Sequence, residues 1–400
     1  MADEATKAAN PYRPGQGVKP PYLGDRRAEI KAMQDAVSEG FPQNIAIYGL
    51  RGVGKTVLLR EYREVALKAR WVGVKREFSP RMTEEAVFAA ALLSDLETAT
   101  EELSSVAAIT GTVKKALSLA RDLIGGLRVK YEDVEFRYEA GKRTSPVGRV
   151  LEDDLLRAFQ RVGDIARRQD RGVVLLYDEF QELCDSKSAG QFPLSALVAS
   201  LGGIQQESLP VMLVACGLPP LIEHLAEAKS YTERMFEGHE IGALRPPEDR
   251  RALVNPARAV GRDYEDEAVE AVLEDTARYP FFIQFYGREL WGEADGATIK
   301  MSDFTKSKTK IQEKLDDYFY RSRYVRATPA QKALLGQIAS FGENATIKQL
   351  LQVTKKSNAS LQMLIRGLIE SGLVYRPDRG EVAFSAPLFG RYVLRQPDQT

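Results

Sequence analysis

Residues Gly49, Leu50, Arg51, Gly52, Val53, Gly54, Lys55 and Thr56 match the spacing G-x-x-x-x-G-K-[ST]. Those residue types at that spacing suit the capture of a polyphosphate. The glycines let backbone N–H groups converge with no Cβ in the way, Lys55 can reach the β- and γ-phosphates as a catalytic cation, and Thr56 can ligate Mg²⁺. Val57 closes the stretch expected to line the phosphates. Phosphoryl transfer also needs a carboxylate for the metal and a group that orients the attacking water. The segment RGVVLLYDEFQEL supplies both: Asp178 would stand in the Mg²⁺ shell and Glu179 would polarise the water. An Asp-Glu pair after an apolar run is ordinarily a solvated turn, and the glycine loop upstream reverses that preference.

Such residues work only if the chain positions them as strand, loop, helix. Residues 45–48 make a short buried-strand pattern before the loop, and Val57, Leu58, Leu59 and Tyr62 follow it at helical spacing. A helix opening near Lys55 would aim the positive end of its dipole at the phosphates. Residues 173–177 form a continuous apolar run of the kind buried on both faces of a parallel sheet. That run puts the carboxylates at its carboxyl end, on a strand expected to be adjacent to the strand of the loop. Residues 70–79 read as a further strand, 83–100 as a helix, and 211–215 as another buried strand. Residues 100–148 read as an insertion, helical over 113–124, with an alternation around Glu132 and Asp133 that predicts a hairpin over 127–143. Leu151, Leu155, Leu156, Phe159, Val162 and Ile165 trace one face of a helix leading to the carboxylate strand. Arg234 precedes an apolar, strand-like segment over 241–244. It stands where it could act on the γ-phosphate of its own or a neighbouring subunit, or serve as an ordinary surface arginine.

Beyond residue 246 the pattern changes. Residues 263–296 are helical, with Pro280 starting a second helix rich in aromatic core residues, and 301–326 read as a long connecting helix. After it come three short helices and a hairpin around Asp378, Arg379 and Gly380, the order of a winged helix-turn-helix. Residues 326–400 hold ten Lys and Arg against five Asp and Glu, a local excess of +5. If the module binds double-stranded DNA, Lys355, Lys356, Asn358, Ser360 and Gln362 front the third helix, and Arg376 and Arg379 grip the backbone from the wing. If it makes protein contacts instead, the same lysines are merely solvated. The chain thus divides into a P-loop ATPase core over 1–245, a helical lid and connecting helix over 246–326, and a winged helix-turn-helix over 327–400. The fold class is α/β, a P-loop NTPase parallel sheet with flanking helices.

Composition sets the outer bounds. Acidic and basic residues cancel at 56 each, so no global field favours nucleic acid or membrane. The cysteines, Cys184 and Cys216, form no CxxC and have no histidine companions, which fits a reducing cytosol better than a disulfide or zinc framework. With no 18-residue apolar span and a charged, proline-bearing start, a cytoplasmic protein with no membrane partner is expected.

Taken together, PYLGDRRAEI, GLRGVGKT, LLYDEFQEL, LVACGLP, ERMFEGHEIGAL and RYPFFIQFYGRELW resemble AAA+-like P-loop ATPases of the STAND and origin-recognition (archaeal initiator) lineage, including bacterial members with a C-terminal winged helix. The resemblance runs through almost the whole chain. It implies ATP/ADP and Mg²⁺ as ligands, Arg234 as an arginine finger, Pro280 in the lid position that contacts nucleotide, and residues 10–12 and 24–26 flanking the adenine. Two departures stand out. Arg278 occupies the glycine position of the lid's Gly-x-Pro motif, and Cys216, a weak donor, stands where such ATPases carry a polar sensor of the γ-phosphate.

Two functions remain open at this point. One is a switch that hydrolyses ATP to ADP and phosphate and couples nucleotide state to DNA binding or self-assembly. The other is a STAND-like signalling or defence scaffold with slow turnover, whose winged helix meets a partner protein. A metabolic kinase fits less well, because the lid and winged helix supply no small-molecule acceptor pocket.

Overall fold

The computed structural model describes residues 9–15, 17–38, 43–105, 111–139 and 148–397. The chain forms two compact units that do not follow sequence order: Arg27–Tyr48 with Leu58–Glu240, and Met1–Arg26 with Gly49–Val57 and Ile241–Thr400.

The first unit is a sheet covered by helices. In chain order it holds α1 (Arg27–Ser38), β1 (Asn44–Tyr48), α2 (Lys55–Lys68, whose first turn belongs to the other unit), β2 (Val72–Glu77), α3 (Glu85–Ser104), α4 (Gly111–Glu139) and α5 (Gly148–Arg168). Then come β3 (Val173–Asp178), α6 (Pro193–Gln206), β4 (Val211–Gly217), α7 (Pro220–Ala228) and β5 (Phe236–Glu240). The five strands are all parallel, in the order β2-β3-β4-β1-β5. Every residue of β3 and β4 is buried, which is why both read as unbroken apolar runs rather than alternations. Contrary to the expectation from sequence, the carboxylate strand β3 is not adjacent to β1: β4 lies between them, pairing Ile47 with Cys216 on one side and Ala215 with Tyr177 on the other. Apolar runs identify buried strands but carry no information on lateral order.

The predicted hairpin is also corrected. Residues 127–139 continue α4 as helix, and 140–143 lie outside the described residues. Val113, Leu117, Ala120, Ile124 and Tyr131 are buried along one stripe of that helix, and spacings of three and four outweigh the local alternation around Glu132. Asp154 of α5 fixes the packing, accepting from Lys130 Nζ (2.6 Å) and Tyr131 Oη (3.0 Å). The strand-like segment 241–244 is not a strand either. β5 ends at Glu240, while Ile241 and Leu244 are buried in the second unit, where Leu244 N donates to Arg278 O (2.9 Å).

The second unit contains α8 (Glu248–Arg258), β6 (Asp263–Tyr264), α9 (Asp266–Asp275), α10 (Pro280–Glu293), β7 (Thr298–Ile299) and α11 (Met301–Leu315). A π-helical segment, Asp316–Arg321, leads to the short α12 (Ser322–Tyr324). A C-terminal module follows: α13 (Pro329–Ser340), β8 (Asn344–Thr346), α14 (Ile347–Thr354), α15 (Asn358–Glu370), β9 (Val374–Tyr375), β10 (Glu381–Phe384) and α16 (Phe389–Leu394), its strands forming an antiparallel sheet β8-β10-β9. Thr328 caps α13 by accepting from Gln331 N, with Pro329 at the first helical position. One hydrophobic core runs from Tyr12 through Phe282, Trp291 and Phe319 to Phe389 and Val393. Tyr12 spends its ring inside this core, packed so closely on α10 that a Cβ at Gly287 would lie 2.6 Å from it.

Candidate nucleotide site

The phosphate loop, Gly49–Val57, belongs to the second unit. Its glycines answer to different demands. Gly52 and Gly54 have φ of 81° and 95°, conformations L side chains rarely adopt. At Gly49 the reason is space, because a Cβ would sit 2.0 Å from Ile241 O. Lys55, only 7% exposed, donates from Nζ to Gly49 O and Leu50 O, both at 2.9 Å, so its ammonium curls back over the loop.

Three further groups hold the loop. Arg26, 5% exposed, donates from Nη2 to Val53 O (3.0 Å) and Gly242 O (3.1 Å). Phe281 N donates to Gly52 O at 3.1 Å; with Pro280 at the first helical position and lacking an N–H, Phe281 offers the first donor of α10. Arg51 N donates to Ser385 O of the C-terminal module at 3.4 Å. Pro280 and the loop are thus brought together. Burial, reinforced by the charges of Arg51 and Arg326, holds the Arg323 guanidinium below its ordinary pKa, and that group lies over the Phe319 ring at 4.7 Å. Asp25, beside Arg26, is governed by opposing effects. Burial works to raise its pKa, but hydrogen bonds from the Arg245 backbone and guanidinium outweigh it and hold the carboxyl below the usual range.

The carboxylate pair belongs to the first unit. Asp178, 3% exposed, ends β3, and Glu179 N donates to Asp178 Oδ1 at 3.1 Å. Glu179 is left-handed (φ 52°), a conformation that costs a non-glycine residue on the order of 1 kcal/mol and turns the chain sharply off the strand. Gln181, 9% exposed, joins this turn to β4. Its Nε2 donates to Glu179 Oε2 (2.6 Å), and its Oε1 accepts from Leu218 N (2.9 Å). Cys216 is fully buried within β4. Arg234 is exposed in the 3-10 turn Thr232–Arg234, just before β5 begins. Because the strands are parallel, this lies at the opposite edge of the sheet from Glu179, three strands and one strand length away, on the order of 20 Å. The structure does not bring Arg234 to the carboxylates of its own sheet.

In the C-terminal module Lys355 (φ 50°), Lys356, Asn358 and Arg379 are exposed around the turn into α15 and at the hairpin. Arg376 is half-buried and donates to Gln362 Oε1 (2.7 Å), whose Nε2 donates to Asn358 Oδ1 (3.2 Å). Of the residues that shape these sites, Arg26 and Gln181 were not singled out for these contacts from sequence. Nothing in a lone arginine or glutamine announces a partner distant in the chain.

A family model for the AAA ATPase domain matches residues 21–214, a stretch that contains both the loop and the carboxylate pair. A second, described as a domain of unknown function (DUF8462), matches residues 317–393. No curated protein matches the chain. Among solved structures, the chain is similar to the Walker-type ATPase PABY2304 of Pyrococcus abyssi, at 16% identity over 93% of this chain and 96% of that one, with a TM-score of 0.53. It is also similar to the ORC1 protein of Aeropyrum pernix in complex with DNA (16%, 94% and 93%, 0.44). For AMPPCP-bound DnaA from Aquifex aeolicus the values are 13%, 87% and 89%, and 0.40. The first likeness shows the fold; the other two are too remote to argue from. Residues 21–214 match the AAA ATPase domain model, and with its parallel five-stranded sheet the protein is a P-loop ATPase. No helix among the described residues is long and apolar enough to cross a membrane.

Proposed function

We propose that the protein is an ATP-dependent switch: it hydrolyses ATP to ADP and phosphate, and nucleotide state controls how its C-terminal module engages double-stranded DNA or a second copy of the chain. One observation carries this reading. Through Gly52 and Arg51 the phosphate loop is hydrogen-bonded to the first turn of α10 and to the C-terminal module. A ligand shifts an equilibrium only by contacting its states differently, and a loop tied to lid and module gives ATP and ADP that opportunity.

In this reading residues 49–57 hold the polyphosphate, and Lys55 redirects its ammonium from the Gly49 and Leu50 carbonyls to the β- and γ-phosphate oxygens. The loop suits that ligand, since even a Cβ at Gly54 would meet nothing within 4 Å. Thr56 offers a hydroxyl and Asp178 a buried carboxylate, each a hard oxygen ligand of the kind Mg²⁺ takes, and the metal would neutralise charge on the β- and γ-phosphates. Glu179 orients the water and accepts its proton as the oxygen attacks the γ-phosphorus and the bond to the β-phosphate oxygen breaks. Arg234, at the far sheet edge, serves the site of a neighbouring copy. The module is read as a winged helix-turn-helix from its element order and local charge of +5, with Lys355, Lys356, Asn358, Arg376 and Arg379 facing DNA phosphates and bases.

Hydrolysis by wild type and Glu179→Gln, alongside binding of a fluorescent ATP analogue, tests the enzyme claim: binding is retained and turnover falls at least a hundredfold. Equal rates would overturn the role of Glu179. For DNA, affinity should fall steeply with salt and weaken in Lys355→Ala/Lys356→Ala; indifference to both would overturn that half of the reading. A slow-turnover STAND-like signalling or defence scaffold that docks a partner protein is the second reading, favoured by the buried thiol of Cys216 at the sensor position and by Arg376 being engaged with Gln362.

A further inference from the structure

We infer that Gln181 is the positioning residue for Glu179, and that it does for this chain what a polar sensor at the end of β4 would otherwise do. The inference rests on the reading of Glu179 as the water-orienting base. The amide is held at both ends. Its Oε1 accepts the Leu218 N–H at 2.9 Å, and because that backbone group can only donate, the amide orientation is fixed and its Nε2 must face the carboxylates. Nε2 then donates to Glu179 Oε2 at 2.6 Å, with a longer contact to Glu182 Oε1 at 3.3 Å. One oxygen of Glu179 is thereby anchored while the other remains to engage water.

The fit depends on the β4 end being small. A Cβ on Gly217 would lie 2.5 Å from Gln181 Oε1, so the glycine beside Cys216 makes room for the amide. Where sequence shows only a thiol and a glycine, the structure has a backbone N–H of β4's exit wired through one side chain to the carboxylate. A shift of that exit would move Glu179 directly. The charged and titratable groups around the amide are Asp178 and Glu182 on its own turn and His224 on α7. The Gln181 backbone works to raise the pKa of the His224 imidazole. Burial holds that imidazole below its ordinary pKa against the pull of Glu223, Glu227 and Asp185, so it stays neutral at and above neutral pH.

The test is single-turnover ATP hydrolysis by wild type, Gln181→Glu, Gln181→Ala and Glu179→Gln, with nucleotide affinity and thermal stability measured in parallel. For Gln181→Ala, turnover should fall about tenfold or more while affinity stays within about twofold, because orientation of the base is lost and the phosphate loop is untouched. Gln181→Glu keeps an acceptor for Leu218 N–H but sets a second carboxylate against Glu179. Its turnover should fall about tenfold or more while nucleotide affinity stays within about twofold. A merely structural role would lower thermal stability and weaken affinity and turnover together. Wild-type turnover in Gln181→Glu, the near-isosteric variant that decides the matter should Gln181→Ala fail to fold, would overturn the inference. If Glu179→Gln is inactive while both Gln181 variants behave as wild type, only this inference falls; if Glu179→Gln turns over normally, the reading of Glu179 falls and takes it along.

Discussion

The phosphate loop and the carboxylate turn are built by opposite means. The loop is shaped by backbone: two glycines at positive φ, a third at a close approach, and carbonyls that receive Arg26, Lys55 and Phe281. The turn is shaped by a side chain, since Gln181 ties Glu179 to β4 and the glycine next door only leaves space. Damage to the first should therefore appear as lost structure and lost nucleotide binding, and damage to the second as lost turnover in a protein that still folds and binds.

Glycine substitutions sharpen the contrast. Gly49→Ala should have the largest effect, because its Cβ would fall 2.0 Å from backbone at Ile241 O and no flexible side chain can yield. A loss of about 3 kcal/mol is expected, read by denaturant unfolding, with nucleotide binding abolished. Arg26→Met comes next. It strips the Val53 and Gly242 carbonyls of a buried donor and should cost about 2 kcal/mol while weakening nucleotide binding. Gly217→Ala should cost little stability, about 1 kcal/mol or less, since the atom it meets first is the end of a side chain, yet its turnover should drop as in Gln181→Ala. A Gly217→Ala protein that hydrolyses ATP normally would erase the distinction drawn between the two regions.

The smallest effect is expected at Asp25 and Arg245. Arg245 is 76% exposed, so solvent screening limits Arg245→Ala to about 1 kcal/mol at pH 7. The sign follows from the depressed carboxyl of Asp25: its contribution is present above the ordinary carboxylate pKa and lost as pH falls through the folded value. The gap between wild type and variant should thus close below about pH 4, and a gap that widened there would contradict the pairing.

What sequence could disclose follows the same division. Residues 49–56 were readable because positive φ and a phosphate cradle demand glycine at fixed spacing, and β3 and β4 because strands buried on both faces must be apolar throughout. Lateral strand order was not readable, since the ladder is backbone and looks alike between any two apolar runs; hence β4 between β1 and β3 came as a correction. The stripe Val113, Leu117, Ala120, Ile124 was readable as helix, yet its continuation through Tyr131 was masked by a short alternation that helical spacing also satisfies. Gln181 was invisible for a simpler reason: its partner at Leu218 is a backbone N–H, which every non-proline residue carries.

The π-helical segment Asp316–Arg321 has a mechanical consequence. Phe319 meets Phe281 and Phe282 at 5.2 Å each, close above Gly52, whereas Tyr320, the next residue, stacks on Tyr392 at 5.2 Å and donates to Pro387 O. Two consecutive side chains thus work like meshed teeth of one gear, one on α10 and one on the C-terminal module. A π turn takes in one residue more than an α-helical turn while keeping the helix that follows in phase, so removing a single residue here would cost the pair one of its teeth and leave the C-terminal module in its place.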